Sequence, residues 1–524
     1  NPGTTPGTTP GTNPGTTPGT TPGTNPGTTP GTNPGTNPAT NPSVNPATNS
    51  GTNPGTNPSA TVSNTTVDNN SSNNINSDNQ PILINELFDQ NSSSTLDQPN
   101  SVDSSEKLFT QKFQQYLGIS TDAPVKTIAQ TRNLIQEIEE ATGIKPAIMY
   151  VSFIPQKLVT GRSIDRLSSD NSSGITVPTA QDQLELVLIT SKGAVIRKRI
   201  EGATREKVIA VANNFRSQVT NLRSQEGDYL APAKQLYDWM VAPLEADFKA
   251  QGIQNLSFIV DTGLRSIPFA ALHDGKQFLI EKYSIGLMPS LSLTDTRYKP
   301  IKNLEVLAMG AASFTDQKPL PAVPVELLAI TPSLWQGKSF LNDGFTLENL
   351  KNQRKDEPFG IIHLATHANF QPGEVSNSYI QLWNSKLKMN QLSSLGWNNP
   401  PVELLVLSAC RTALGNEEAE LGFAGLAVQA GVKSALGSLW YVSDRGTLGL
   451  MTEFYQQLKQ TSTKSEALRQ TQLAMLQGKV YVSGGNLVAD SDLVPLPPEL
   501  VRLGDQTFKH PYFWSAFTMI GNPW

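Results

Sequence analysis

Two residues in this chain combine reactive side chains with positions at the ends of apolar runs. Phe359–His367 reads FGIIHLATH and Val402–Cys410 reads VELLVLSAC, so one run closes on an imidazole and the other on a thiol. Cys410 is the only cysteine in the chain, and it therefore has no partner for an internal disulfide. The thiolate is the nucleophilic form of cysteine, and an imidazole near pH 7 takes the thiol proton or stabilises the anion. Short runs rich in Leu, Ile and Val, bounded by polar loops, fit strands buried on both faces of a largely parallel sheet. Ligands of open α/β sheets bind beyond the carboxyl ends of the strands. The sequence thus predicts a thiolate–imidazole pair at one sheet edge, with His367 and Cys410 as the last residues of their strands.

Each of these residues has a plainer reading. A lone thiol is ordinarily an inert core group. What sets Cys410 apart is the segment after it, Arg411 to Gly415 (RTALG), read as a loop leading into a helix N-terminus. Such a terminus and a nearby cation both lower a thiol pKa. His363 stands four positions before His367, so a metal site has to be weighed. The zinc-protease pattern requires Glu directly after its first His, and Leu364 stands there instead; no metal or organic cofactor is predicted. His363 lies mid-run and reads as a buried, hydrogen-bonded histidine. His273, in a turn, and His510, in a terminal packing segment, read as structural, and Arg411 and Glu420 as loop and helix scaffolding. Gly431-Val432-Lys433-Ser434 only superficially suggests a phosphate loop, because Gly does not directly precede the Lys.

Five segments, HLATH, LLVLSACRTALG, GSLWYVSD, IPFAALHDG and HPYFWSAFTMIGNPW, resemble the CHAT domain family, a caspase- and separase-like peptidase module common in bacteria. The resemblance covers roughly Leu256–Trp524, with related sequence starting near Thr127. His367 precedes Cys410 by 43 positions, close to the roughly 50-residue offset of caspases. The resemblance implies a caspase-like α/β fold, a mostly parallel sheet flanked by helices, with a degenerate N-terminal α/β half beside the active one. It also implies a cysteine endopeptidase with His367 as base and Cys410 as nucleophile, the backbone amides of Cys410 and Ala368 holding the oxyanion. Many family members carry Gly where Ala368 stands, and Ala does not readily adopt a positive φ. Asp444, in Trp440–Asp444 (WYVSD), has two readings. One is a first-turn carboxylate on the following helix with Ser443 as cap; the other, from the similar W-x-V-x-D segment of separases, is the acid that binds a basic P1 side chain. The alternative function is a catalytically silent CHAT-like protein-binding module, or a surface or stalk protein. A protein or peptide substrate is the expected partner, and a regulatory sensor protein a second, since family members are usually gated by one.

The rest of the chain divides by composition. Residues 1–106 form a Pro/Gly/Thr/Asn-rich arm, opening with repeats of a four-residue x-Pro-Gly-Thr unit and carrying no charge before Asp68. With almost nothing apolar to bury, such a segment is expected to be disordered. Residues 107–255 are read as the degenerate half and 256–524 as the peptidase domain. Within them, strands are expected at Ala147–Ile154, Leu184–Thr190, Ala194–Ile200, Leu256–Val260 and Phe278–Leu287, and helices at Leu108–Leu117, Arg205–Leu222 and Tyr229–Ala250. The second half alternates strand and helix through Val306–Gly310, Val323–Thr331, Phe359–His367 and Val402–Cys410, followed by a helix Glu417–Ala430 capped by Asn416. Net charge is −5 without a basic cluster, which argues against nucleic acid or an anionic membrane as partner. No apolar run approaches the ~20 residues of a membrane span. The chain begins with Asn, not Met, and reads as a fragment or processed form from a cytoplasmic or an exported protein.

Overall fold

The computed structural model describes residues 100–119, 123–155, 178–412, 415–490 and 492–524, with 100–101 and 409–411 as backbone only. Most of the predicted arm, residues 1–99, lies outside the described residues, as does most of the expected loop after Ile154. The first helix, Asn100–Leu117, begins well before the expected Leu108. Its buried face includes Val102, Glu106, Phe109, Phe113 and Leu117, a helical spacing interrupted by a carboxylate. Glu106 is held there by the Tyr150 hydroxyl at 2.7 Å and the Ser292 amide at 2.6 Å. A buried charge satisfied from distant segments hides the apolar period from a local reading.

Among the described residues, thirteen strands form one sheet. They are β1 (Pro146–Ile154), β2 (Gln183–Ile189), β3 (Ile196–Thr204), β4 (Asn255–Val260), β5 (Ser284–Leu287), β6 (Val306–Gly310), β7 (Gly337–Leu341), β8 (Ile361–Phe370), β9 (Tyr379–Gln381), β10 (Lys386–Lys388), β11 (Leu404–Thr412), β12 (Ser434–Ser438) and, closing the chain, Phe517–Gly521. A separate four-stranded antiparallel sheet, which the sequence did not suggest, holds β13 (Tyr481–Ser483), β14 (Asn486–Ala489), β15 (Asp492–Pro495) and β16 (Gln506–Thr507). The closing strand Phe517–Gly521 is β17.

The large sheet consists of two mostly parallel groups. One is β7-β6-β8-β11-β12, with the antiparallel β9 and β10 added beside the end of β8, and the other is β17-β5-β4-β1, extended by the antiparallel β2 and β3. They join where β12 runs antiparallel to β17, from Ser434 opposite Gly521 to Ser438 opposite Phe517. Gly521 has φ +83°, and a Cβ there would lie 2.6 Å from the Lys433 carbonyl oxygen, so the junction requires glycine. Strand β4 starts at Asn255 and pairs in parallel with β1, so the sheet runs without interruption through the division expected at 255/256. Helices flank this sheet, and the parallel strands read as near-continuous apolar runs because they are covered on both faces.

Several local expectations change. Phe278–Leu287 contains a helical turn, Leu279–Lys282, before β5. The helix expected over Tyr229–Ala250 breaks into Glu226–Met240 and Glu245–Gln251 around Pro243, which has no N–H to donate. The one expected over Glu417–Ala430 divides at Gly425, where a side chain would meet Leu117 at 3.1 Å. Asn416 does cap it, its Oδ1 accepting the Ala419 amide at 3.0 Å.

Candidate active site

Strands β8 and β11 lie side by side in parallel, with Ala409 opposite His367 and Cys410 opposite Ala368. The register shifts between Leu407 and Ala409, just before these positions. Neither residue ends its strand, contrary to the sequence expectation. Pairing continues through Arg411 opposite Asn369 and Thr412 opposite Phe370, because β9 pairs with Ala368 and Asn369 from the other side. The neighbours stop earlier, β6 at Ala365 and β12 at Val406. His367 and Cys410 therefore stand beyond the carboxyl ends of the flanking strands, where ligands of such sheets bind. Ala368 is an ordinary strand residue, outside the positive-φ set among the described residues.

The half-buried His367 is held from several sides. Its Nε2–H donates to the Lys318 carbonyl oxygen at 2.8 Å. A carbonyl only accepts, so the neutral ring carries its proton on Nε2 and leaves Nδ1 as the acceptor. The Phe314 ring lies 5.0 Å away and the Tyr441 ring 6.3 Å away at an interplanar angle of 30°. Burial lowers the imidazole pKa below its usual 6.5, against the opposing effects of the Lys318 carbonyl and the Asp316 charge. The ring is thereby kept neutral at neutral pH, as a base requires. Lys318, Phe314 and Tyr441 were missed by the sequence reading. The contribution of Lys318 is a backbone oxygen, which no side-chain pattern announces.

His363, four residues earlier on the same strand, is fully buried. Its Nε2–H donates to Glu326 Oε1 at 2.9 Å, and its Nδ1 lies 3.2 Å from the Tyr455 hydroxyl. This is the buried, hydrogen-bonded histidine expected from its mid-run position. His273 Nδ1 accepts the Gly275 amide and His510 Nδ1 the Tyr512 amide, both local turn contacts. Among the described residues, no group of three or more His, Cys, Asp or Glu side chains could hold a metal ion. No helix among them is long and apolar enough to cross a membrane.

Asp444 opens the helix Asp444–Gln460, and Ser443 caps it through the Gly446 amide. Its half-buried carboxylate accepts the Tyr441 hydroxyl on Oδ1 at 3.2 Å and also the Ala322 amide. Burial, aided by the charge of Glu326, raises its pKa from 3.8 to about 6, with those two hydrogen bonds opposing. Tyr441 thus touches both Asp444 and His367. Behind the site, Glu420 is buried scaffolding that ties the helix Glu417–Ala424 to the first half of the chain. It accepts the Gly263 amide at 3.1 Å and the Ser266 hydroxyl, and lies 3.7 Å from the buried Arg216 guanidinium. At the same helix start, Glu417 pairs with Lys112 at 2.9 Å.

The structure of the Saccharomyces cerevisiae separase–securin complex is 11% identical, with a TM-score of 0.38, covering 75% of this chain and 31% of that one. This chain thus spans only 31% of the separase it matches. The complex of the pro- and mature domains of Porphyromonas gingivalis RgpB is 11% identical, with a TM-score of 0.33, covering 61% of this chain and 76% of that one. No curated protein matches. The profile of the CHAT domain matches residues 230–522. With 293 of its 524 residues matched, from 230 to 522, the chain belongs to the CHAT domain family.

Proposed function

We propose that this protein is a cysteine endopeptidase working through His367 and Cys410, with Asp444 receiving a basic P1 side chain. The carrying observation is the state of His367. It is neutral, it is fixed through Nε2–H on the Lys318 carbonyl, its Nδ1 is left as the acceptor, and its strand pairs with the one that bears Cys410. In this reading the Cys410 thiol gives its proton to Nδ1, and the thiolate attacks the scissile carbonyl carbon. The carbonyl π pair moves onto oxygen, where the amides of Cys410 and Ala368 receive it. Collapse of the intermediate expels the amine, which takes the proton back from His367 and leaves an acyl-enzyme. Water, deprotonated by the same imidazole, then releases the acid and restores the thiol. No step requires a metal or an organic cofactor. A protein or peptide is the substrate, and a regulatory protein partner is part of the proposal.

Profiling against a diverse peptide library, wild type beside Cys410→Ala and His367→Ala, tests this reading. Cleavage after Arg or Lys is expected from the wild type alone. Equal activity in Cys410→Ala would remove Cys410 from the mechanism, whereas absence of cleavage by the wild type together with failure of a peptide-based acylating probe to label Cys410 would leave the silent binding module as the better description.

A further inference from the structure

Tyr441 bridges the imidazole and the carboxylate. Its ring faces His367 at 6.3 Å and its hydroxyl donates to Asp444 Oδ1 at 3.2 Å. The backbone beneath it is pinned. The Tyr441 carbonyl accepts the Tyr512 hydroxyl at 2.8 Å, and Trp440 Nε1–H donates to the Tyr512 carbonyl at 3.1 Å. The residue is 37% exposed, so its side chain can turn about its own χ angles without disturbing that anchor. Its bond to Asp444 joins residues three apart and fastens no two elements together, unlike the buried bond between His363 and Glu326.

A planar guanidinium binds a carboxylate bidentately and needs a lone pair on each oxygen. Each oxygen of a carboxylate has two acceptor positions; on Asp444 the Ala322 amide fills one of the four, and the Tyr441 hydroxyl fills one on Oδ1. Asp444 is half-buried and the exposed Tyr441 lies against its Oδ1, so a cationic fork arriving from solvent competes with the phenol for room at that oxygen, and its charge-assisted bonds are the stronger. Once displaced, the phenol loses the bond that orients its ring against His367. We propose that Tyr441 is a positioning residue coupling the two groups: a guanidinium side chain seated on Asp444 takes Oδ1 from the hydroxyl, releases the ring, and resets the face against which His367 packs. Occupation of the specificity site is thereby signalled to the base before chemistry begins. This rests on the reading of Asp444 as the cation subsite.

The test uses the full chain in a Cys410→Ala background, so that no turnover intervenes. The imidazole resonances of His367 are followed by NMR, assigned with His367→Gln among only four histidines. Acetyl-argininamide is the guanidinium probe and acetyl-norleucinamide its uncharged control. With Tyr441 present, the arginine probe is expected to shift the His367 signals and the control to leave them in place. Tyr441→Phe keeps the ring but not the hydroxyl, so the shift should be largely lost, while affinity for the arginine probe rises by up to about fivefold, the worth of one competing hydrogen bond. With Cys410 restored, Tyr441→Phe should change kcat on Arg peptides more than on peptides with uncharged P1 residues. Binding with equal His367 shifts in the presence and absence of the Tyr441→Phe substitution overturns the coupling alone. Absence of arginine-probe binding when Tyr441 is present overturns the Asp444 reading, and the coupling with it.

Discussion

Asp444→Asn separates a specificity carboxylate from a helix-capping one, because it removes the charge while keeping the shape. The folded carboxyl titrates at about 6 against 3.8 for an unperturbed group, with burial as the main cause. At 1.36 kcal/mol per pH unit, the cost of ionising it in place has an upper bound of ~3 kcal/mol, reduced to ~1–2 kcal/mol by partial solvent access. The sign follows from linkage. The folded pKa is raised, so the unfolded chain ionises first; relative stability is full below pH 4, falls between pH 4 and pH 6, and stays lower above. Asn cannot ionise, and its amide oxygen can still accept from Tyr441. The Asn variant should therefore gain on the wild type between pH 4 and pH 8, by ~1–3 °C in melting temperature for a chain of this size. Activity should move the other way. An uncompensated cationic P1 group loses ~3–5 kcal/mol, so kcat/KM on Arg peptides should fall by roughly a hundredfold to a few thousandfold, with little change on uncharged P1 residues. In the wild type, the acid limb on Arg peptides should lie near pH 6, and on uncharged peptides it should follow the depressed His367 instead. Melting curves from pH 4 to 8 at constant ionic strength, with the two peptide series, decide the matter. An Asn variant with unchanged Arg preference and a melting profile parallel to the wild type would refute the reasoning.

Three further outcomes follow, two of them from the buried networks. His363→Ala should cost ~3–5 kcal/mol, because it strands Glu326 in a fully buried site and leaves the Tyr455 hydroxyl short of a partner; His367→Ala should abolish peptide cleavage with only a small change in melting temperature. A His363→Ala protein as stable as wild type would show that the contact with Glu326 is dispensable. Glu420→Ala should lower stability in urea by a similar ~3–5 kcal/mol, since it leaves Arg216 buried without its carboxylate. An unchanged urea midpoint there would mean that the two halves are held by apolar contacts alone.

The parallel strands were legible because burial on both faces writes itself as unbroken apolar runs. Ile361–Phe370 and Leu404–Thr412 each begin two residues inside the predicted run and extend past its end by pairing that only tertiary structure creates. The placement of His367 and Cys410 on adjacent strands, beyond the ends of the flanking strands, was legible for the same reason, although both strands run on past them. What was hidden depended on partners distant in the chain. Glu106 breaks the pattern of the first helix because its donors come from Tyr150 and Ser292. The four-stranded sheet at Tyr481–Thr507 has strands of two to four residues, too short to show alternation. Lys318 enters the site through a carbonyl, and Tyr441 through a ring whose meaning depends on where strand β8 passes.

The two histidines of β8 show how the fold divides labour along one strand. His363 meets Tyr455 within the helix Asp444–Gln460, and His367 meets Tyr441 just before that helix begins. Both rings therefore face the same layer, one inside the protein and one at its margin. The short helix Val323–Leu328 lies against both regions. Glu326, on that helix, holds His363, while the amide of Ala322, at its start, donates to Asp444. One six-residue helix thus links the buried half of the His strand to the candidate specificity carboxylate. The carboxylates of Glu326 and Asp444 repel, which is part of why Asp444 ionises late. Replacing Glu326 by Gln would keep a hydrogen-bond acceptor for His363 and remove that repulsion, so the acid limb on Arg peptides should move below pH 6 with His367 left in place. A shift toward higher pH in that variant would mean that Glu326 acts on Asp444 through structure and not through its charge.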